Sequence, residues 1–250
     1  MTDTQPPLDG STALITGAGS GIGTATAHAL AAAGARVVLA GRRAEPLEAL
    51  AAEIGDGRAL AAPLDVTDAD AIAGFVDALP EGWRALDILV NNAGHDPGGR
   101  TRFDKGSADD WAATVETNVI GLIRLTHAVI HGMLERGRGD IVNVGSVAGI
   151  RPYATGTAYV ASKHAVHGFS ESLRRDFAGH GIRVIEIMPG LVLTDFAETR
   201  WSSKEKADEF YAKFEQTLER DDIADTIVYG VTRPARVVVS QLVVVPSTQK

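Results

Sequence analysis

The chain has 250 residues, a formal net charge of −8 and no cysteine. That length suits one large α/β domain or two small ones, and folding at this size needs no covalent staple. The missing cysteines exclude disulfides and thiolate-ligated zinc, and the acidic balance disfavours nucleic acid as a general partner.

Residues 1–10, MTDTQPPLDG, are polar and lack the apolar core of a signal peptide. No window approaches the ~20 apolar residues of a membrane span, so a soluble, cytoplasmic protein is expected. STALITGAG (11–19) reads as a buried strand running into a glycine turn, and GIGTATAHALAAAGA (21–35) as an alanine-rich helix stopped by Gly34. RVVLAGRR (36–43) is a second strand and AEPLEALAAEIGDG a second helix. RALAAPLDVTD (58–68) is a third strand, with Asp68 placed to cap ADAIAGFVDAL. ALDILVNNAG (85–94) is a fourth strand, and 107–135 has helical spacing throughout. GDIVNVGSVAG (139–149) is a fifth strand, followed by helix over about 157–178 and the strand IRVIEIMPG (182–190). A charged helical segment (196–218), a helix (221–233) and a last strand (236–246) complete the chain. Near-continuous apolar strands alternating with helices predict one α/β domain over residues 1–250, a doubly wound parallel sheet covered on both faces.

TGAGSGIG (16–23) joins the first strand to the first helix, with Gly17, Gly21 and Gly23 in the pattern G-x-x-x-G-x-G. Glycines let the backbone approach a pyrophosphate, and the helix N-terminus supplies unpaired N–H groups. No Lys-Ser/Thr follows, so this is not a Walker loop. In dinucleotide folds an acidic residue ends the second strand and binds the ribose hydroxyls. Here Gly41 stands at that place, followed by Arg42 and Arg43. A glycine leaves room for a 2′-phosphate and a guanidinium can hold it, so NADP is expected over NAD.

Ser146 follows the fifth strand, Tyr159 comes 13 residues later, and Lys163 lies one helical turn beyond on the same face. Asn118 sits mid-helix in VETNVIG. A tyrosine pKa near 10 needs a drop of about 3 units, roughly 4 kcal/mol, to act near neutrality. One cation at about 4 Å in an effective dielectric near 20 supplies about that much. Lys163 could be that cation, and Tyr159 would then exchange a proton with a substrate oxygen.

These motifs, with LDVTD, NNAG, GSVAG and PGLVLT in order, make the chain resemble a short-chain dehydrogenase/reductase over essentially its whole length. The resemblance implies a Rossmann-type fold and an NADP(H)-linked oxidoreductase. It implies that Ser146 polarises the carbonyl and that Tyr159 is the acid/base. Lys163 would lower the tyrosine pKa and bind the nicotinamide ribose, and Asn118 would hold a relay water. Ser20 and Ile22 join the glycine loop in the cofactor site. Asp65 and Val66 would lie near adenine, and Asn91, Ala93 and Gly94 would line the cleft. Pro189, Gly190, Val192 and Thr194 would pack on the nicotinamide. Paired subunits, as a dimer or tetramer, are implied as well.

GRRAEPLEAL, RPYATGTAYVASK and the segment after PGL further resemble the NADP-dependent 3-hydroxy acid dehydrogenase subgroup, which also oxidises serine and has relatives reducing sulfoacetaldehyde. The lid would be 195–218. Arg200 could clamp a substrate carboxylate or sulfonate, with Tyr153 adding a hydroxyl, or Arg200 could be a solvated helix charge. His95, Asp96, Arg100 and Arg102 either shape a polar pocket or form a solvated loop. Neutral ketones or 3-oxoacyl compounds are the other substrate class, and a non-catalytic NADP sensor the other function. Histidines 127, 131, 164 and 167 have helical spacing without an identifiable third ligand, so no metal is expected.

Overall fold

The computed structural model describes residues 7–249. The reading of the N-terminal stretch as no signal peptide falls mostly on residues 1–6, outside the described ones. Seven strands lie in one parallel sheet ordered β3-β2-β1-β4-β5-β6-β7. They are β1 Thr12–Thr16, β2 Arg36–Gly41, β3 Ala59–Pro63, β4 Ile88–Asn91, β5 Gly139–Val144, β6 Ile182–Pro189 and β7 Gln241–Val244. The helices are α1 Gly21–Ala32, α2 Ala44–Ile54, α3 Ala69–Ala78, α4 Ala108–Val115, α5 Leu122–Arg136, α6 Thr157–Asp176, α7 Phe196–Trp201, α8 Lys204–Tyr211 and α9 Arg220–Val231.

Strands buried on both faces explain their unbroken apolar runs. Leu30 of α1, Leu47 and Leu50 of α2, and Ile223 and Ile227 of α9 cover one face with Ile15, Leu39 and Ile185. Ile72 and Phe75 of α3 and Leu125, Val129 and Met133 of α5 cover the other. Asp68 caps α3, accepting from the Ala71 N–H at 2.9 Å. The strand order reverses between β1 and β4, which opens a crevice at their carboxyl ends.

Three elements differ from the sequence expectation. The helix expected over 107–135 contains a π-helical turn, Glu116–Gly121, between α4 and α5. Gly121 there lies against the Val66 carbonyl so closely that a Cβ would overlap it. The segment 196–218 forms only α7 and α8. Its end turns back to β6, because Leu218 exchanges backbone bonds of 2.8 Å with Leu191 and Leu193 instead of continuing a helix. The last strand is short: β7 pairs with β6 only along Glu186–Pro189, while Arg183 takes the carbonyls of Arg233 and Val237.

Candidate active site

Thr16 ends β1 and clamps it to the end of β4. Its hydroxyl accepts the N–H groups of Asn92 and Ala93, each at 3.0 Å, and the Asn92 amide donates to the Thr16 carbonyl at 2.9 Å. This fixes the glycine loop at the crevice, beginning with Gly17. Gly21 has φ +52, and a Cβ there would stand 3.3 Å from Thr194 in the turn after β6. A Cβ at Gly23 would overlap the Gly17 carbonyl. Ser20 begins α1 without a side-chain cap, no acidic residue occupies the first turn, and Ile22 packs on the core. The first N–H groups of α1 are therefore open to an anion.

Arg42 and Arg43 follow Gly41, both exposed, and neither has a hydrogen-bond or ion-pair partner among the described residues. Asp65 accepts from the N–H and hydroxyl of Thr67 at 2.9 and 2.8 Å. Burial pushes its carboxyl pKa up, but those bonds and Arg42 outweigh it and the net shift is down. An uncapped helix end at one side and two free guanidinium groups at the other fit a dinucleotide carrying an extra phosphate. Asn91 is buried, with its amide donating to Thr126 and Asn143 at 2.9 Å, so it supports the cleft from beneath. Ala93 and Gly94 run above it. Val66 packs on the core beside α5.

Pro189 ends β6, and the Gly190 N–H donates to Val244 at 2.7 Å. The Tyr211 hydroxyl of α8 is shared between the carbonyls of Val192 and Thr194, at 3.0 and 3.1 Å, and pins that turn. Nothing in the spacing of residues 195–218 marks Tyr211 for this.

Ser146 leaves β5 as the cap of a short 3-10 turn. Its Oγ accepts from the Ala148 N–H at 3.1 Å and stands in hydrogen-bonding reach of the Tyr159 hydroxyl. Tyr159 is the third residue of α6, entered through Thr155 in the left-handed region (φ +67). Lys163 is buried one turn on, its Nζ donating to the Val144 carbonyl at 2.9 Å and lying 5.8 Å from the Tyr159 ring centre. The three groups meet at the carboxyl ends of β5 and β6.

The electrostatics differ from the sequence expectation. Burial pushes the Tyr159 phenol up to about 12, and the cation that opposes it is Arg200. Burial also pulls Lys163 down to about 8, with Glu186 opposing. In this arrangement Lys163 alone does not bring the phenol toward neutrality, because its ammonium is turned to Val144 and the low-polarity surroundings disfavour both charges.

Arg200 is not a solvated helix charge. It is 8% exposed, and its Nε lies 2.7 Å from Oδ2 of Asp96, itself 3% exposed. The N–H is not aimed at that oxygen, so both atoms retain hydrogen-bonding capacity. The guanidinium stands 5.3 Å over Tyr159 and 5.0 Å over Phe196, within reach of the Tyr153 hydroxyl. Burial raises the pKa of Asp96 and of Tyr153, and Arg200 and Arg100 lower both. Arg100 is exposed at the mouth, 4.6 Å over Tyr153 and 5.1 Å over Phe210. Arg102 points away and pairs with Asp104 at 2.5 Å, so it does not shape the pocket.

Asn118 lies in the π-helical turn, 2% exposed. Its Oδ1 accepts from the His95 N–H at 2.7 Å, and its Nδ2 donates to the His95 carbonyl and the Ser162 hydroxyl, each at 3.0 Å. Its side chain therefore ties the 95–105 loop to α6. His127 and His131 touch ring to ring, His164 bonds the Val160 carbonyl, and His167 meets Glu186. No cluster of three metal-binding side chains occurs among the described residues.

Residues 11–205 match the family model described as short chain dehydrogenase. The chain is 39% identical to an NADP-dependent 3-hydroxy acid dehydrogenase of Schizosaccharomyces pombe, over 97% of this chain and 95% of the relative. It is 41% identical to sulfoacetaldehyde reductase 2 of Chromohalobacter salexigens, over 94% of each. A solved serine dehydrogenase, in its closed form with NADP+, superposes with TM-score 0.92 at 39% identity over 96% of each chain.

Proposed function

The chain belongs to the short-chain dehydrogenase family, and we propose that it is an NADP-dependent oxidoreductase acting on small acid-bearing alcohols and aldehydes. The observation that carries this reading is the meeting of Ser146, Tyr159 and Lys163 in one cluster under the Arg200 guanidinium. When bound, the dinucleotide supplies or accepts the hydride. The first turn of α1, from Ser20 to Gly23, holds its pyrophosphate. Arg42 and Arg43 hold the 2′-phosphate with Gly41 leaving the space, and Asp65 and Val66 flank the adenine. Ala93, Gly94, Pro189, Gly190, Val192 and Thr194 form the walls at the other end.

In reduction the Tyr159 hydroxyl gives its proton to the carbonyl oxygen. A phenol pushed up to about 12 is protonated at neutral pH, as a proton donor must be. Ser146 hydrogen-bonds the same oxygen and positions it. Lys163 binds ribose and offers positive charge as phenolate develops. Asn118 fixes the loop wall, and any proton relay through it uses its backbone.

Arg200, Arg100 and Tyr153 face the acid group. One observation favours neutral carbonyls as a second reading: Asp96 already neutralises Arg200. NADPH consumption over a panel of semialdehydes, sulfoacetaldehyde, neutral ketones and 3-oxoacyl thioesters separates the two.

The whole chain acts as one catalytic domain with 195–218 as lid. Exposed Val115 and Ile123, Tyr229 of α9 and Val243 of the edge strand β7 fit burial between copies in a homodimer or homotetramer. No helix among the described residues is long and apolar enough to cross a membrane.

A further inference from the structure

Glu186 lies beneath the catalytic cluster and has no part in the chemistry above. It sits in mid-β6 with 0% exposure. Its neighbours in register are Asn143 on β5 and Gln241 on β7, and Asn143 accepts from Asn91 on β4. A polar row thus crosses the sheet under α6. A carboxylate there is costly unless another charge answers it.

Its Oε2 meets His167 Nδ1 at 2.8 Å. The other oxygen, Oε1, has no hydrogen-bond partner among the described residues, and it lies 2.6 Å from where a Cβ on Gly145 would stand. Gly145 follows Val144, whose carbonyl holds the Lys163 ammonium. The unpartnered oxygen therefore adjoins the turn that seats the catalytic lysine. Lys163 and His167 are one turn apart on α6.

Other groups face Glu186 without replacing Lys163. Arg174 of α6 is bonded to the carbonyls of Val184 and Ser240, at 3.0 and 2.8 Å. Glu171 of α6 accepts from the Gln241 amide at 3.3 Å. From β5 comes neutral Asn143, while Asp140 pairs with Arg183 at 2.5 Å.

We propose that Glu186, anchored by His167, is a positioning residue that keeps Lys163 protonated beneath the reacting phenol. The charges agree: burial pulls Lys163 down to about 8 and Glu186 pushes it back. Burial raises Glu186, against His167, Arg174 and Lys163. The proposal rests on Tyr159 and Lys163 being the catalytic pair.

The chain has six lysines, so the Lys163 side-chain NMR signal can be assigned by its loss in Lys163→Arg and titrated in the cofactor-free protein. Glu186→Gln is expected to lower the Lys163 midpoint by about one pH unit. The alkaline fall of kcat/KM for carbonyl reduction should move down with it. Glu186→Asp, which keeps the charge, should restore both. His167→Ala should shift them in the same direction, because losing the His167 contact raises the Glu186 pKa and leaves less negative charge beside Lys163. That variant decides the matter if Glu186→Gln does not fold. Midpoints within about 0.2 unit of the wild type overturn the proposal and leave the Tyr159 assignment standing. That assignment fails separately if the wild-type protein turns over no carbonyl.

Discussion

Asp96→Asn removes one member of a buried ion pair while keeping its shape. At 2.7 Å, an effective dielectric of ~20 gives an attraction of about 6 kcal/mol, offset by the desolvation of both groups. Breaking such a pair from one side costs about 3–5 kcal/mol. Arg200 keeps the rings of Tyr159, Phe196 and Trp201 around it, so the low end applies here. About 3 kcal/mol corresponds to a Tm lowered by roughly 6–12 °C for a chain of this size. The freed guanidinium then seeks another anion. KM for a semialdehyde acid should fall about tenfold, KM for a neutral ketone should stay put, and the acid product should raise the Tm of the variant more than that of the wild type. Calorimetry and steady-state kinetics read both effects. An unchanged or higher KM for the acid, in a folded variant, would refute the reasoning that Asp96 competes for Arg200.

Lys163→Met should stabilise the protein while abolishing turnover. A folded pKa of about 8, below the ordinary 10.5, means the buried ammonium costs about 3 kcal/mol below pH 8. The cost is relieved as pH rises from 8 toward 10.5. Allowing for the lost bond to Val144, the gain at neutral pH is up to about 2 kcal/mol. It should disappear near pH 10 in chemical-denaturation curves taken across pH. Arg42→Ala with Arg43→Ala should lower kcat/KM for NADP about 100-fold and leave NAD nearly unchanged. Equal losses for both cofactors would mean the arginines do not read the 2′-phosphate.

The alternation of strands and helices was legible because parallel strands buried on both faces must be apolar throughout. The glycine loop and the Ser146, Tyr159, Lys163 spacing were legible because backbone approach and one-turn helical geometry act locally. Tyr211 pinning the 192–194 turn, and Asp96 reaching Arg200 across 104 residues, were not. Both depend on how α7 and α8 pack against the 95–105 loop and the turn after β6, which no short spacing encodes. The π-helical turn at Asn118 was hidden for a similar reason, since Gly121 within it meets the β3–α3 loop far away in sequence. The spacing put Lys163 one turn from Tyr159, but it could not show the burial of the pair or that the ammonium points to the Val144 carbonyl.

In the proposed mechanism Tyr159 transfers the proton in an NADP-linked reaction. NADPH consumption with the carbonyl substrates above, measured for the wild type and Tyr159→Phe, tests it most directly. The expected result is turnover by the wild type, strongest with acid-bearing aldehydes, and a kcat ~10²–10⁴-fold lower in the variant with NADPH affinity unchanged. Equal kcat in the two proteins would contradict it.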